Sequence, residues 1–77
     1  MESMDEATIA ALRLFFDKAV VPPTIRLDEG TTITDTAKFL KTQFNVIDAG
    51  HSPTVRRPAF DRLVRLRMLL LQEKDPG

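Results

Sequence analysis

The apolar residues of this chain recur at intervals of three and four, and this spacing constrains the fold more than any other feature. It places apolar side chains on one face of an α-helix. Three segments show this spacing. Their apolar positions are Ile9, Leu12, Phe16 and Ala19, then Ala37, Leu40, Phe44 and Ile47, and finally Ala59, Leu63, Leu66 and Leu70. The sequence therefore predicts a mainly α fold: a small three-helix domain.

Local signals set the expected ends of the first helix, which should run from about Asp5 to Ala19. Ser3 and Glu6 have the spacing of a capping box, and Pro22-Pro23 drives the preceding residue out of the α conformation. Residues 24–34 then largely alternate polar and apolar positions around Asp28-Glu29-Gly30, as in two short extended segments with a turn. We expect an extended connector, or a short β-hairpin, that buries Ile25, Leu27 and Ile33.

The second helix should follow Thr34 or Asp35, either of which can serve as N-cap. It should run to about Asp48, with Gly50 as the residue after its end. Residues 51–54 are loop-like in composition.

The third helix should begin near Pro58, because proline suits the first helical turn, and should continue to about Glu73. Val55-Arg56-Arg57 fits either a loop or an extra turn of this helix.

A chain of only 77 residues without cysteine cannot rely on disulfides, so helix packing or association with another chain must stabilise it. We expect a single domain over residues 1–77, ordered from about 3 to 73. The longest apolar run, Met68 to Leu71, is far too short to cross a bilayer. The acidic N-terminus lacks the features of a signal peptide. These features predict a cytoplasmic protein that does not enter membranes.

The third helix is apolar over more of its circumference than two neighbouring helices need. Beside the stripe that contains Leu63 and Leu66 lies a second group of residues, comprising Phe60, Val64, Arg67, Met68 and Leu71. Either a small core uses both stripes, or the second group contacts another chain. We expect a protein partner or a homodimer, in which two copies pack this helix antiparallel.

The two parts of the chain differ in charge, although eleven basic and eleven acidic residues cancel overall. Residues 1–50 contain five basic and eight acidic side chains, whereas residues 51–77 contain six and three. Zero net charge disfavours a dedicated nucleic-acid binder. The alternative is a nucleic-acid-binding accessory protein that contacts phosphates through the third helix, with the candidate anion-binding residues Arg56, Arg57, Arg62 and Arg65.

No pattern indicates catalysis, a metal or a cofactor. Asp28-Glu29-Gly30 with Asp35 lacks the ladder of a calcium loop, and turn formation and helix capping explain these residues. His51 next to Ser52 is not a catalytic arrangement, because such partners must converge in space. We therefore expect a non-enzymatic protein: a protein–protein interaction or small regulatory module.

The chain resembles a group of short, uncharacterised bacterial proteins, chiefly from Bacteroidetes. The residues that carry this resemblance are the run from Pro23 to Asp35, Lys38-Phe39-Leu40, Arg57-Pro58, Asp61-Arg62-Leu63, Leu66 and Leu70. It extends over roughly residues 12–71. The resemblance implies a stand-alone module and no particular mechanism.

Overall fold

Three helices and one short β-hairpin make up the computed structural model, which describes residues 4–50 and 52–73. In chain order the elements are α1 (Glu6–Lys18), β1 (Ile25–Asp28), β2 (Thr31–Ile33), α2 (Thr36–Asp48) and α3 (Pro53–Glu73). The predicted mainly α fold with three helices is confirmed, and the connector between the first two helices forms the hairpin.

α1 begins one residue later than its predicted start. Asp5 is the N-cap, and its carboxylate accepts a hydrogen bond from the Thr8 N–H at 2.8 Å. The expected cap at Ser3 is therefore wrong, and Ser3 itself lies outside the described residues. The helix ends when Ala19 turns to extended backbone, three residues before Pro22, and the Ala19 N–H donates to the Phe15 carbonyl at 2.9 Å.

The hairpin is antiparallel, and Ile25 pairs with Ile33. Its turn is fixed by the Asp28 carboxylate, which accepts from the Gly30 N–H at 3.0 Å. The Arg26 guanidinium donates to the carbonyls of Asp28 and Glu29. A two-stranded ribbon is marginal alone. It is stable here because its apolar side chains are buried against the helices, as predicted: Ile25, Leu27 and Ile33.

The start of α2 is joined to the proline pair. Asp35 is the N-cap and accepts from the Lys38 N–H at 3.1 Å. The buried Thr36 hydroxyl donates to the Pro22 carbonyl at 2.5 Å, and the Thr36 N–H donates to the Pro23 carbonyl at 3.1 Å. These two bonds fix the direction in which the second helix leaves the hairpin.

α3 begins at Pro53, five residues before the predicted start at Pro58. The Ser52 carbonyl accepts from the N–H groups of Val55 and Arg56, which closes the first turn. The prediction of a loop at Pro53 and Thr54 is therefore wrong. The physical reason is that two prolines could each begin the helix, and the earlier one does.

The core is built around α3. Phe60, Leu63 and Leu66 are 0% exposed. They pack with the rest of the core, namely Ile9, Leu12, Phe16, Ile25, Leu27, Ile33, Ile47, Ala59 and Leu70. Leu40 and Phe44 of α2, expected in the core, lie at its edge and are only partly buried. Within the described residues, no helix combines the length and the apolar character needed to cross a membrane.

Candidate interaction surface

The structure divides the predicted interface residues between the core and the surface. Phe60 is 0% exposed, which removes it from any contact with another chain. Val64 and Arg67 are half-buried. Met68 and Leu71 remain 45% and 43% exposed. In this group, Phe60 therefore belongs to the core, whereas Met68 and Leu71 lie at the surface.

Val64 and Arg67, the two half-buried residues of this group, line a groove between α1 and α3. Two adjoining cavities of about 540 and 640 Å³ form this α1–α3 groove, and both are lined by Ala11 and Phe15. The first is also lined by Asp5, Ala7, Thr8, Leu12, Val64 and Arg67. The second is also lined by Leu14, Lys18, Ala19, Val20, Pro22 and Leu70. The lining is mainly apolar, as in surfaces that bind other molecules.

Small side chains on α1 give the groove its depth. Ala7 and Ala11 lie four residues apart, and therefore on the same face of the helix, and both line the cavity that Val64 also lines. Leu14 lies three residues after Ala11, so it continues this face of the helix. It is 59% exposed. The sequence places Leu14 outside the apolar stripe predicted for the first helix, which consists of Ile9, Leu12, Phe16 and Ala19. It did not indicate that α3 would complete a groove beside it.

The charges of the groove lie at its ends and along one wall. Asp5 lies at the end near the start of α1, and Lys18 lies at the end near its C-terminus. Arg67 lines the wall contributed by α3. No hydrogen bond or ion pair joins Arg67 to another described residue. A half-buried guanidinium beside apolar groups is stabilised by an anionic partner, so the groove favours an occupant that brings a carboxylate.

The arginines of the alternative hypothesis point to separate partners. Arg57 pairs with Asp61 of the same helix at 3.0 Å. Arg62 donates to the Gln43 side chain of α2 at 3.3 Å, and Arg65 donates to the Leu27 carbonyl of β1 at 3.4 Å. The contacts of Arg62 and Arg65 join α3 to α2 and to β1. The structure does not bring these side chains together as one phosphate-binding ridge.

Arg56, the fourth of these arginines, lies in a polar cleft of about 340 Å³ between α1, the end of α2 and the start of α3. The cleft also contains the exposed ion pair between Arg13 and Asp48. The Arg13 guanidinium lies 4.7 Å from the centroid of the Phe44 ring. With Glu6 also in the lining, acidic and basic groups are balanced, and the cleft has no excess charge to attract an ion.

The remaining candidate residues either form a turn or a helix cap, or lie outside the residues that the structure describes. Asp28 forms the hairpin turn and Asp35 caps α2, as the sequence indicated. His51 lies outside the described residues. Among the residues that the structure describes, no three His, Cys, Asp or Glu side chains are grouped to hold a metal ion.

Comparison with known proteins gives one result. The model of a family described as a domain of unknown function, DUF6965, matches residues 7–72. No curated protein and no solved structure is significantly similar to the chain. The family match confirms the resemblance to an uncharacterised family, and it covers the hairpin, α2 and all but one residue each of α1 and α3. The chain therefore belongs to the DUF6965 family.

Proposed function

We propose that this protein is a non-catalytic protein–protein interaction module and that the α1–α3 groove is its contact surface. The observation that carries the proposal is the apolar surface that folding leaves uncovered along this groove. Leu14 and Val20, which line the groove, are 59% and 94% exposed. Exposing large apolar side chains in one region costs solubility, and it is typical of a surface that another protein covers.

The shape and chemistry of the groove favour a helix as the bound segment. An amphipathic helix binds in a groove by placing apolar anchors at intervals of three and four. The groove follows α1 for most of its length, which for thirteen residues is about 20 Å. Arg67 and Lys18 offer cations to acidic residues of the bound helix. Another copy of this chain can supply such a helix, and so can a different protein.

The alternative, a nucleic-acid-binding accessory protein, has weaker support. Three of its four arginines already have partners within the fold, and the polar cleft that holds the fourth is balanced in charge. Phosphate binding requires cations that replace counterions along a continuous path. We expect the protein to pass through an immobilised polyanion column at low salt, and retention that weakens steeply with added salt would favour the alternative.

Photo-cross-linking in cells that naturally produce the protein tests the proposed surface. A photoreactive amino acid replaces Leu14 or Val20, two exposed residues that line the groove. Irradiation should join both variants to another polypeptide, which denaturing electrophoresis detects as a band of higher mass.

The matched control carries the same photoreactive group in place of Asn45, an exposed residue of α2 that lines neither cavity of the groove. It should give no such band. Equal adducts from all three positions, or none from Leu14 and Val20, would contradict the assignment of the groove as contact surface.

A further inference from the structure

The charge that the α1–α3 groove offers to an occupant is positive. Its charged lining residues, among those that the structure describes, are Asp5, Lys18 and Arg67. The Asp5 carboxylate is already engaged as the N-cap of α1, where it accepts from the Thr8 N–H. No hydrogen bond or ion pair joins Lys18 or Arg67 to another described residue. The groove therefore presents two cations that can pair with acidic groups of another molecule.

The two cations lie at different levels of the groove. Arg67 lines the same cavity as Thr8 and Ala11, whereas Lys18 lines the adjoining cavity, seven residues after Ala11 on α1. At about 1.5 Å per helical residue, the seven to ten residues between these levels span about 10–15 Å. Two carboxylates that are two or three turns apart on a bound helix have the same separation. Ala11 and Phe15, which line both cavities, offer apolar surface between the two cations.

A second copy of this chain does not supply an acidic helix. In α1 two acidic residues balance two basic ones, and both α2 and α3 contain more basic than acidic residues. If two copies packed α1 antiparallel across this groove, Lys18 of one copy would approach Arg67 of the other. Like charges across an interface disfavour association. The charges therefore favour a different protein as the partner.

We propose that the occupant of the α1–α3 groove is an acidic amphipathic helix of a different protein, with two carboxylates that pair with Lys18 and Arg67. This inference rests on the proposed function, since it names the partner of the same surface. The apolar stripe of the bound helix covers the exposed Leu14 and Val20 side chains. The two ion pairs fix its register along the groove and exclude basic helices of similar hydrophobicity.

Synthetic peptides of about 18 residues, long enough to form a helix of about 27 Å, provide the probe. Three peptides share one leucine stripe with intervals of three and four residues. The acidic peptide has two glutamates beside this stripe, seven positions apart, and the neutral peptide has glutamines there. The third peptide carries the two glutamates on the opposite face, so it is the matched control for net charge.

Fluorescence anisotropy of labelled peptides with the whole chain measures the affinities. The acidic peptide should bind at least about threefold more tightly than either of the other two, which is the scale of two exposed ion pairs. This preference should decrease with added salt, because salt screens charges that are exposed to solvent.

Substitutions in the chain test the role of each cation. Lys18→Gln should weaken binding of the acidic peptide about two- to fivefold and leave binding of the neutral peptide unchanged. Arg67→Gln should act in the same way, with circular dichroism to check its folding, because Arg67 is half-buried. Lys38→Gln is the matched control, since Lys38 is an exposed residue of α2 that lines neither cavity of the groove. It should have no effect.

Equal affinities for the acidic and neutral peptides would overturn this inference, as would equal effects of Lys18→Gln and Lys38→Gln. So would a dissociation constant above about 1 mM for the acidic peptide. Binding to phosphatidylglycerol vesicles without any peptide preference would indicate a membrane surface, and it would also overturn the inference.

The cross-linking experiment separates this inference from the proposed function. Adducts of Leu14 and Val20 with a different protein would keep the proposed function even if the peptides show no preference for acidic residues. Adducts of only about 17 kDa, twice the 8.7 kDa of one chain, would identify a second copy and overturn the acidic partner. The absence of adducts would remove both proposals.

Discussion

At the scale of single residues, Arg56 is the side chain whose polar group is least well satisfied. Its Nε atom is buried and has no hydrogen-bond partner among the described residues. A buried donor without an acceptor costs about 1–3 kcal/mol. The long aliphatic part of the side chain can still pack against its neighbours. The unpaired Nε thus costs stability, and a nonpolar residue of similar length would remove that cost.

We expect Arg56→Met to raise the free energy of unfolding by about 1 kcal/mol, because it keeps the packing and removes the unpaired donor. Urea denaturation followed by circular dichroism measures the change. Arg57→Met serves as comparison and should lower stability slightly, since Arg57 pairs with Asp61 and lies over the Phe60 ring. A clear loss of stability in Arg56→Met would show that the guanidinium stabilises the fold.

At the scale of secondary structure, Pro58 is the main local defect. It lies inside α3, six residues into the helix. A proline there has no N–H to donate to the carbonyl four residues earlier, that of Thr54, and its ring crowds that carbonyl. The helix nevertheless continues through this position, because the residues that follow are fixed in the core by Phe60 and Leu63. Tertiary packing overrides the local preference.

Replacing Pro58 by alanine should therefore stabilise the protein by about 1–3 kcal/mol. Pro58 is exposed, so little packing is lost. Thermal unfolding should show a higher midpoint for Pro58→Ala than for the wild type. An unchanged or lower midpoint would mean that the proline supports the fold through a bend of α3 or through restriction of the unfolded chain.

At the scale of the whole molecule, α3 is the element on which the others pack. Its residues Phe60, Leu63 and Leu66 have no exposed surface, whereas Leu40 of α2 is only partly buried. In so small a domain, few side chains are fully enclosed. Stability should therefore depend unequally on residues that look equivalent in the sequence.

Leu63→Ala should cost about 2–5 kcal/mol, the range for a fully buried leucine. Leu40→Ala should cost less, because water can reach the space that it leaves. Urea unfolding curves of the wild type and the two variants, fitted with a common dependence of free energy on urea concentration, give both changes. Equal costs at the two positions would contradict the central role assigned to α3. Costs below about 0.5 kcal/mol at both positions are typical of surface substitutions, and they would contradict the assignment of these residues to the packed interior.

The candidate surface shows how far prediction from the sequence can reach. The excess of apolar residues on the third helix was visible as spacing, and Met68 and Leu71 are indeed exposed. Phe60 was placed in the same stripe but lies in the core. Periodicity gives the angle between side chains on one helix. It does not give the angle at which that helix meets its neighbours, and this angle decides which end of a stripe is covered.

The sequence alone determined the three helices and the turn at Asp28 and Gly30, and it narrowed the N-cap of α2 to Thr34 or Asp35, because each depends on residues within four positions of one another. Only the tertiary structure decided where α3 begins, which arginines are paired and where the groove lies. The lining of the groove joins Ala7 and Ala11 to Val64 and Arg67, more than fifty positions apart. Such contacts depend on the packing of whole helices, and no local pattern encodes them.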